Sequence, residues 1–154
     1  MPSFVSSLPA WLKYAVVTVI PWIELRGAVP MAIAAQERVY LPLVLVANLA
    51  IFWPGYYFLE FVYERLPEGG WVHRRLERIR AKAHPFVEKY GMIGLALFVA
   101  VPLPGTGAYS GTAAAWLLDL EPKRAFLAVS IGVAIAFALV WGSSELVAAG
   151  VKLL

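Results

Sequence analysis

Cysteine is absent from this 154-residue chain, so neither a disulfide framework nor a thiolate metal site can be built. Histidine is almost absent: His73 and His84 are the only two, too few for a His-based metal set. Charge is scarce too. Asp, Glu, Lys and Arg make up 15% of the residues, where a soluble domain carries about 25%. There is no Ser/His/Asp arrangement, no phosphate-cradling GxxxxGK run and no metal-ligand spacing. These gaps exclude a soluble globular enzyme and lead us to expect no enzyme activity, no cofactor, no metal and no nucleic-acid partner. The first twelve residues hold no Lys or Arg, and the first apolar stretch runs into Glu24 and Arg26. A cleaved signal peptide is therefore not expected.

What is present is apolar. Hydrophobic residues make up 61% of the chain, mean hydropathy is +0.73, and the apolar residues come in blocks. The chain reads as an integral membrane protein. Six Trp, seven Tyr and eight Phe fit that reading, since aromatic rings favour the membrane–water interface. Four blocks run over 8–36, 40–63, 91–120 and 123–149. Block two spans the bilayer as one helix, with Asn48 as its interior polar residue, Glu60 near its end and a kink expected at Pro54-Gly55. Block four carries two rows of small residues four apart: Ala128, Gly132, Ala136, and Ser130, Ala134, Ala138, Gly142. Such rows let helices approach closely, so this helix is expected to touch protein on most of its surface.

Blocks one and three are interrupted. Pro21-Trp-Ile-Glu-Leu-Arg-Gly-Ala-Val-Pro30 breaks the first, and Pro102-Leu-Pro104-Gly-Thr-Gly107-Ala-Tyr-Ser-Gly111 breaks the third. Prolines and glycines at that density cannot continue a helix. Each block reads as a re-entrant hairpin with an unwound tip at membrane depth, tolerated only where protein or a polar cavity covers it. Two kinked, fully spanning helices are the alternative. An offset of 81 residues superposes Pro21 on Pro102, Gly27 on Ala108, Pro30 on Gly111, and Ala32 and Ala34 on Ala113 and Ala115. The expected fold is all-α: one membrane domain over 1–154, built from two inverted repeats, 8–63 and 91–154. Each repeat is a hairpin followed by a spanning helix.

The joining segment, 64–90, holds seven of the thirteen basic residues. Val72, Leu76, Ile79, Phe86, Val87 and Tyr90 fall near helical spacing, with Arg74, Arg78 and Lys82 on the other side. It reads as an amphipathic helix, bent at Pro85, lying on the anionic inner leaflet. His73 and His84 are read as part of its solvated face. The positive-inside rule places it in the cytoplasm. Nine basic residues then lie inside and three outside under either topology, so charge does not choose between them.

Glu24 and Arg26 are the only ionisable residues at a tip. Each costs roughly 2.5–3.5 kcal/mol at a helix centre, so they persist when paired, hydrated or functional. One reading is a structural pair that satisfies unwound backbone. The other makes Glu24 a protonation site and Arg26 a holder of an anionic group. The second tip offers backbone N–H groups, the Thr106 and Ser110 hydroxyls and the Tyr109 ring. The candidate substrate and proton site is therefore Glu24, Arg26, Gly27, Pro30, Pro102, Pro104, Gly105, Thr106, Gly107, Tyr109 and Ser110, with Asn48 and Glu60 secondary. Gly107 and Gly111 serve either packing or substrate lining.

These two tip sequences resemble the small multidrug export family of prokaryotic membrane proteins, a likeness that covers essentially the whole chain. That family is similar in layout to the wider DedA-type group, with two opposed re-entrant hairpins. The resemblance implies an inner-membrane translocator with Glu24 and Arg26 as its acidic and basic site residues. DedA-type second loops carry arginine near their prolines, and this one has none. The leading expectation is a homodimeric, proton-coupled exporter of an amphipathic small molecule. The alternatives are a flippase or scramblase of an anionic lipid such as undecaprenyl phosphate, and a non-transporting membrane assembly protein.

Overall fold

A computed structural model describes residues 8–67, 70–102 and 106–153, with side chains throughout except at 82–88 and 151–153. Among the described residues the chain forms seven α-helices and one 3-10 turn, and no strand. Helix α1 (Ala10–Val19) and α2 (Glu24–Ala34) have 10 and 11 residues. At 1.5 Å per residue each is about 15–17 Å long, half of a ~30 Å hydrocarbon core. They pack against one another. Their open end is tied by Glu37, which accepts from Lys13 Nζ at 2.9 Å and from the Tyr14 hydroxyl. The Tyr14 hydrogen bond first, and the Lys13 ammonium after it, hold the Glu37 carboxyl below the usual carboxylate range.

The break between α1 and α2 is shorter than the sequence predicts. Helix resumes at Glu24 and continues through Pro30, so the unwound tip is residues 20–23 and not Pro21 to Pro30. Pro30 leaves only the Arg26 carbonyl, four residues back, without its helical donor. Gly27 and Pro30 consequently sit on a helix and not in a loop.

A 3-10 turn (Arg38–Tyr40) leads into α3 (Leu41–Ala50) and α4 (Phe52–Glu64). Together Arg38–Glu64 is long and apolar enough to cross a membrane. The hydrogen-bond ladder is interrupted at Ile51, one turn before Pro54, while Ile51 keeps helical angles of φ −61° and ψ −31°. Pro54 has no N–H for the Ala50 carbonyl and its ring crowds that turn, so the defect appears upstream of the proline.

Helix α5 (Trp71–Ala100) fuses the basic linker to the first half of block three. It bends at Gly91, with φ +34° and ψ −118°, a conformation that glycine tolerates because it lacks Cβ. Pro85, where the bend was expected, lies within continuous helix. The linker's inward side also differs from expectation. Arg80 lies 4.9 Å from the ring centres of both Tyr63 and Trp116 and donates to the Trp116 carbonyl at 3.2 Å. His73 stacks on Tyr63 with ring centres 4.9 Å apart. His73 is thus half-buried against the bundle, while Val72 and Ile79 are exposed beside Arg74, Arg75 and Arg78. Apolar spacing alone could not reveal that two aromatic rings offer a cation a better seat than solvent. The side chain of His84 lies outside the described residues.

Helix α6 (Ala108–Leu117) and the long α7 (Pro122–Leu153) complete the chain. Pro122–Gly150 is the second stretch long and apolar enough to cross a membrane. Helices α1 and α2 pack on α3, and α5 and α6 pack on α7. Across the halves α2 packs on α7, and α6 on α4. Arg38 binds Glu145 through two hydrogen bonds of 2.7 and 2.8 Å at one end of the bundle. At the other end Trp116 Nε1 donates to Glu60 at 2.7 Å and the Tyr56 hydroxyl to the Leu120 carbonyl at 3.0 Å. Helix boundaries recur at the 81-residue offset: Val19 with Ala100, and Leu41 with Pro122. Helix α6 starts three residues later than α2 at this offset, at Ala108.

Helix α7 does not touch protein on most of its surface. Ala128, Gly132 and Ala136 are buried, whereas Ala134, Ala138 and Gly142 face outward with Leu127, Ile131 and Leu139. The two small-residue rows lie on different faces, and only one meets α5. A Cβ at Gly132 would stand 2.6 Å from both the Ala96 carbonyl oxygen and Val99 Cβ, and one at Gly142 would meet nothing within 4 Å. Gly132→Ala should therefore destabilise the protein by about 1–3 kcal/mol in detergent melts. Gly142→Ala should raise stability by about 0.5–1 kcal/mol through helix propensity.

Candidate functional site

The α1–α2 turn has an unusual backbone. Trp22 and Glu24 have φ of 80° and 46°, left-handed values that bulky residues adopt at roughly 1–3 kcal/mol each. Backbone bonds from the Ile23 and Glu24 amides to the Ile20 carbonyl, both 3.2 Å, hold the turn. The turn aims the Glu24 side chain, 6% exposed, at the second broken segment. A buried carboxylate requires partners. It accepts from the Ala108 amide at 3.0 Å through Oε2 and from the Tyr109 amide at 3.2 Å through Oε1.

Those amides belong to the first turn of α6, where N–H groups have no intrahelical acceptor and the helix dipole is positive. The residue at the cap position, Gly107, has no side chain with which to satisfy them. Glu24 supplies the cap from the other half of the chain. A Cβ on Gly107 would stand 1.6 Å from Glu24 Oε2. Gly107 is the opening that admits the carboxylate.

Arg26 treats the other broken end. Its Nη2 donates to the Val101 carbonyl at 3.0 Å, the Val99 carbonyl at 3.4 Å and Thr106 Oγ1 at 3.0 Å. Thr106 Oγ1 in turn donates to the Val101 carbonyl. Val99 and Val101 end α5, where orphan carbonyls carry the negative end of the dipole. Arg26 Nη1 also lies 3.6 Å from Glu24 Oε2. An acid thus caps the start of α6, and a base two residues on caps the end of α5.

Beside this clasp is a cavity of about 250 Å3 lined by Pro21, Trp22, Glu24, Arg26, Gly107, Tyr109 and Ser110. Ser110 Oγ donates to the Gly107 carbonyl at 3.1 Å and the Tyr109 hydroxyl to the Val19 carbonyl at 2.6 Å. Trp22 is 85% exposed on the rim. Chemically, a proton added to Glu24 would occupy one acceptor oxygen and cancel the charge that attracts Arg26. One amide bond and the ion pair would go together, so a protonation event here would loosen the contact between the tips. Among the described residues no group of three or more His, Asp or Glu could hold a metal ion.

Of the sequence-predicted site, Glu24, Arg26, Thr106, Gly107, Tyr109 and Ser110 come together. Gly27 instead packs on Ile23, and Pro30 lines a separate cavity of about 530 Å3 between α2 and α7. Gly111 serves packing, since a Cβ there would stand 2.4 Å from Val99 Cγ2. Pro102 is exposed and outside the cavity lining; Pro104 and Gly105 lie outside the described residues. Asn48 is fully buried, with neither side-chain atom hydrogen-bonded among the described residues, and Glu60 is engaged by Trp116. Sequence reading missed Trp22, although a tryptophan beside the tip proline is itself a signal. It offered the second tip's N–H groups and a Glu24–Arg26 pair that satisfies unwound backbone, without naming the amides of Ala108 and Tyr109 or the carbonyls of Val99 and Val101 as the partners.

Gly107→Ala should expel Glu24 from the α6 amides and cost about 3 kcal/mol, the range of charge-assisted bonds to buried partners. In a Glu24→Ala background the same substitution should cost under about 1 kcal/mol, because nothing remains to expel. Denaturant titration of the four proteins in micelles measures the cycle.

No curated protein and no solved structure matches the chain. The profile of the family described as small multi-drug export protein matches residues 24–139, opening on Glu24 just after the first tip and taking in the second break. The chain is a membrane protein that belongs to the small multi-drug export protein family.

Proposed function

We propose that this protein is a proton-coupled exporter of an amphipathic small molecule, with Glu24 as the coupling carboxylate. In this reading α1–α2 and α5–α6 are re-entrant hairpins that enter a prokaryotic inner membrane from opposite sides, and the two halves are inverted repeats. Three observations support the architecture: α1, α2, α6 and the apolar end of α5 (Lys89–Ala100) are too short to span, boundaries recur at an offset of 81, and α2 packs on α7 as α6 does on α4. The end pairs Arg38–Glu145 and Trp116–Glu60 fit hairpins that open at opposite ends. The exposed arginines 74, 75 and 78 favour a cytoplasmic position for the linker. The tip cavity of one copy, about 250 Å3, falls below the ~300–1,000 Å3 of ligand pockets, which favours a homodimer as the working unit.

The observation that carries the function is the Glu24 contact with the Ala108 and Tyr109 amides. It makes the tip-to-tip junction depend on one ionised group beside a cavity. Protonation releases α6 from α2, and release lets the two halves move about the cavity. Such a device couples proton binding to exposure of the site, since a ligand shifts only an equilibrium whose two states it binds differently. Arg26 is engaged with α5 carbonyls and Thr106, which leaves little reason to assign it a lipid phosphate.

The test is flux driven by a pH gradient in proteoliposomes, with lipophilic cations offered to wild type and Glu24→Gln. The amide keeps one acceptor oxygen, so Glu24→Gln should stay folded, with a melting temperature within a few degrees of wild type. Gradient-driven flux should fall tenfold or more. Equal flux in the two proteins contradicts proton coupling through Glu24. No flux from folded wild type leaves the clasp as a purely structural device in a non-transporting membrane protein.

A further inference from the structure

A groove of about 710 Å3 lies beside the tip cavity, between the α3–α4 span and α6. Its volume falls within the ~300–1,000 Å3 of ligand pockets. Small residues make the space: Ala47 and Gly55 on the span and Ala113 on α6. Pro54, which interrupts the span at Ile51, lines it, and Phe58, 64% exposed, stands at its edge. Its one buried hydroxyl, on Thr112, donates to the Ala108 carbonyl at 2.6 Å and is therefore spent. The groove is apolar along its length and opens outward past the exposed Ala50, Pro54 and Ala113.

Tyr109 is common to this groove and to the tip cavity. Its amide donates to Glu24 and its hydroxyl to the carbonyl of Val19, itself a groove residue. One residue thus joins a polar cavity to an apolar groove: its side chain lies between them, and its backbone amide is bonded to the group that would take the proton.

We propose that the groove is the tail site of the exported molecule, and that the substrate is a single-chain amphiphile. Its compact polar head occupies the tip cavity and its chain lies past Tyr109 along Ala47, Gly55 and Ala113. This proposal rests on the export reading above and narrows its substrate class. The cavity lining pairs Glu24 with Arg26, a set neutral as a whole, beside the Trp22 and Tyr109 rings, and trimethylammonium amphiphiles of graded chain length are the probe. Pre-existing access from the side means that such a molecule enters from the hydrocarbon and not from water.

The experiment measures proteoliposome flux of octyl-, dodecyl- and hexadecyl-trimethylammonium by wild type, Gly55→Leu, Ala113→Leu and a lipid-facing control, Ile135→Leu. A Cβ at Gly55 would stand 3.4 Å from Thr112 Cγ2, ordinary contact, so a side chain there fills the groove without forcing the helices apart. Wild type and Ile135→Leu should share one chain-length optimum. Gly55→Leu and Ala113→Leu, from opposite walls, should both move it to shorter chains and lower hexadecyl flux tenfold or more. Flux independent of chain length, or equal losses for all three chains in both variants, overturns the tail site and leaves the groove to bilayer lipid. Absence of flux for every probe in folded wild type overturns the export reading itself, a separate outcome.

Discussion

Backbone polar groups stranded at broken helices must find partners inside the protein, because hydrocarbon offers none. Every notable feature of the site follows from how this chain meets that constraint. The second break strands the amides that start α6 and the carbonyls that end α5. Glu24 and Arg26, one turn of helix in the other half, satisfy both at distances of 3.0–3.4 Å. Opposite dipole ends receive opposite charges, and the charges lie 3.6 Å apart, so the set is neutral as a whole. The cost of burying an acid beside a base is offset in this way by partners within the protein.

The same solution makes the junction fragile in a specific manner. Four backbone groups depend on two side chains, and one of those can accept a proton. The left-handed turn at Trp22 and Glu24 is tolerated because the clasp holds it. The lack of a side chain at Gly107 is a condition of the same contact. Elsewhere the halves are joined by tight small-residue packing, as at Gly132 against Ala96, and by end pairs such as Arg38–Glu145.

Much of the architecture was legible in the sequence. Block hydropathy gave the all-helical chain and both long stretches, and the proline-glycine clusters located both breaks. Residue type also singled out Glu24 and Arg26, because charge at depth is expensive. What the sequence could not reveal was the partner of each. The amides of Ala108 and Tyr109 are available only because a helix begins there, and helix starts are set by three-dimensional packing as much as by Pro104 or Gly107. Proline was misread for a related reason. Pro54 displaces its defect to Ile51, and Pro30 and Pro85 are accommodated within helices, whereas the real bend falls at Gly91. The inward arginine, Arg80, escaped a spacing argument because it is held by two rings, not by a charge repeat.

The central claim is that Glu24 caps α6, and amide hydrogen exchange tests it most directly. First-turn amides have no helical acceptor, so any protection of Ala108 and Tyr109 must come from the carboxylate. The account predicts that both exchange as slowly as the interior of α6 in the wild-type protein. In Glu24→Ala they should lose that protection while the rest of α6 keeps its own. Rapid exchange at Ala108 and Tyr109 in the wild type, or protection that survives the loss of Glu24, would contradict it.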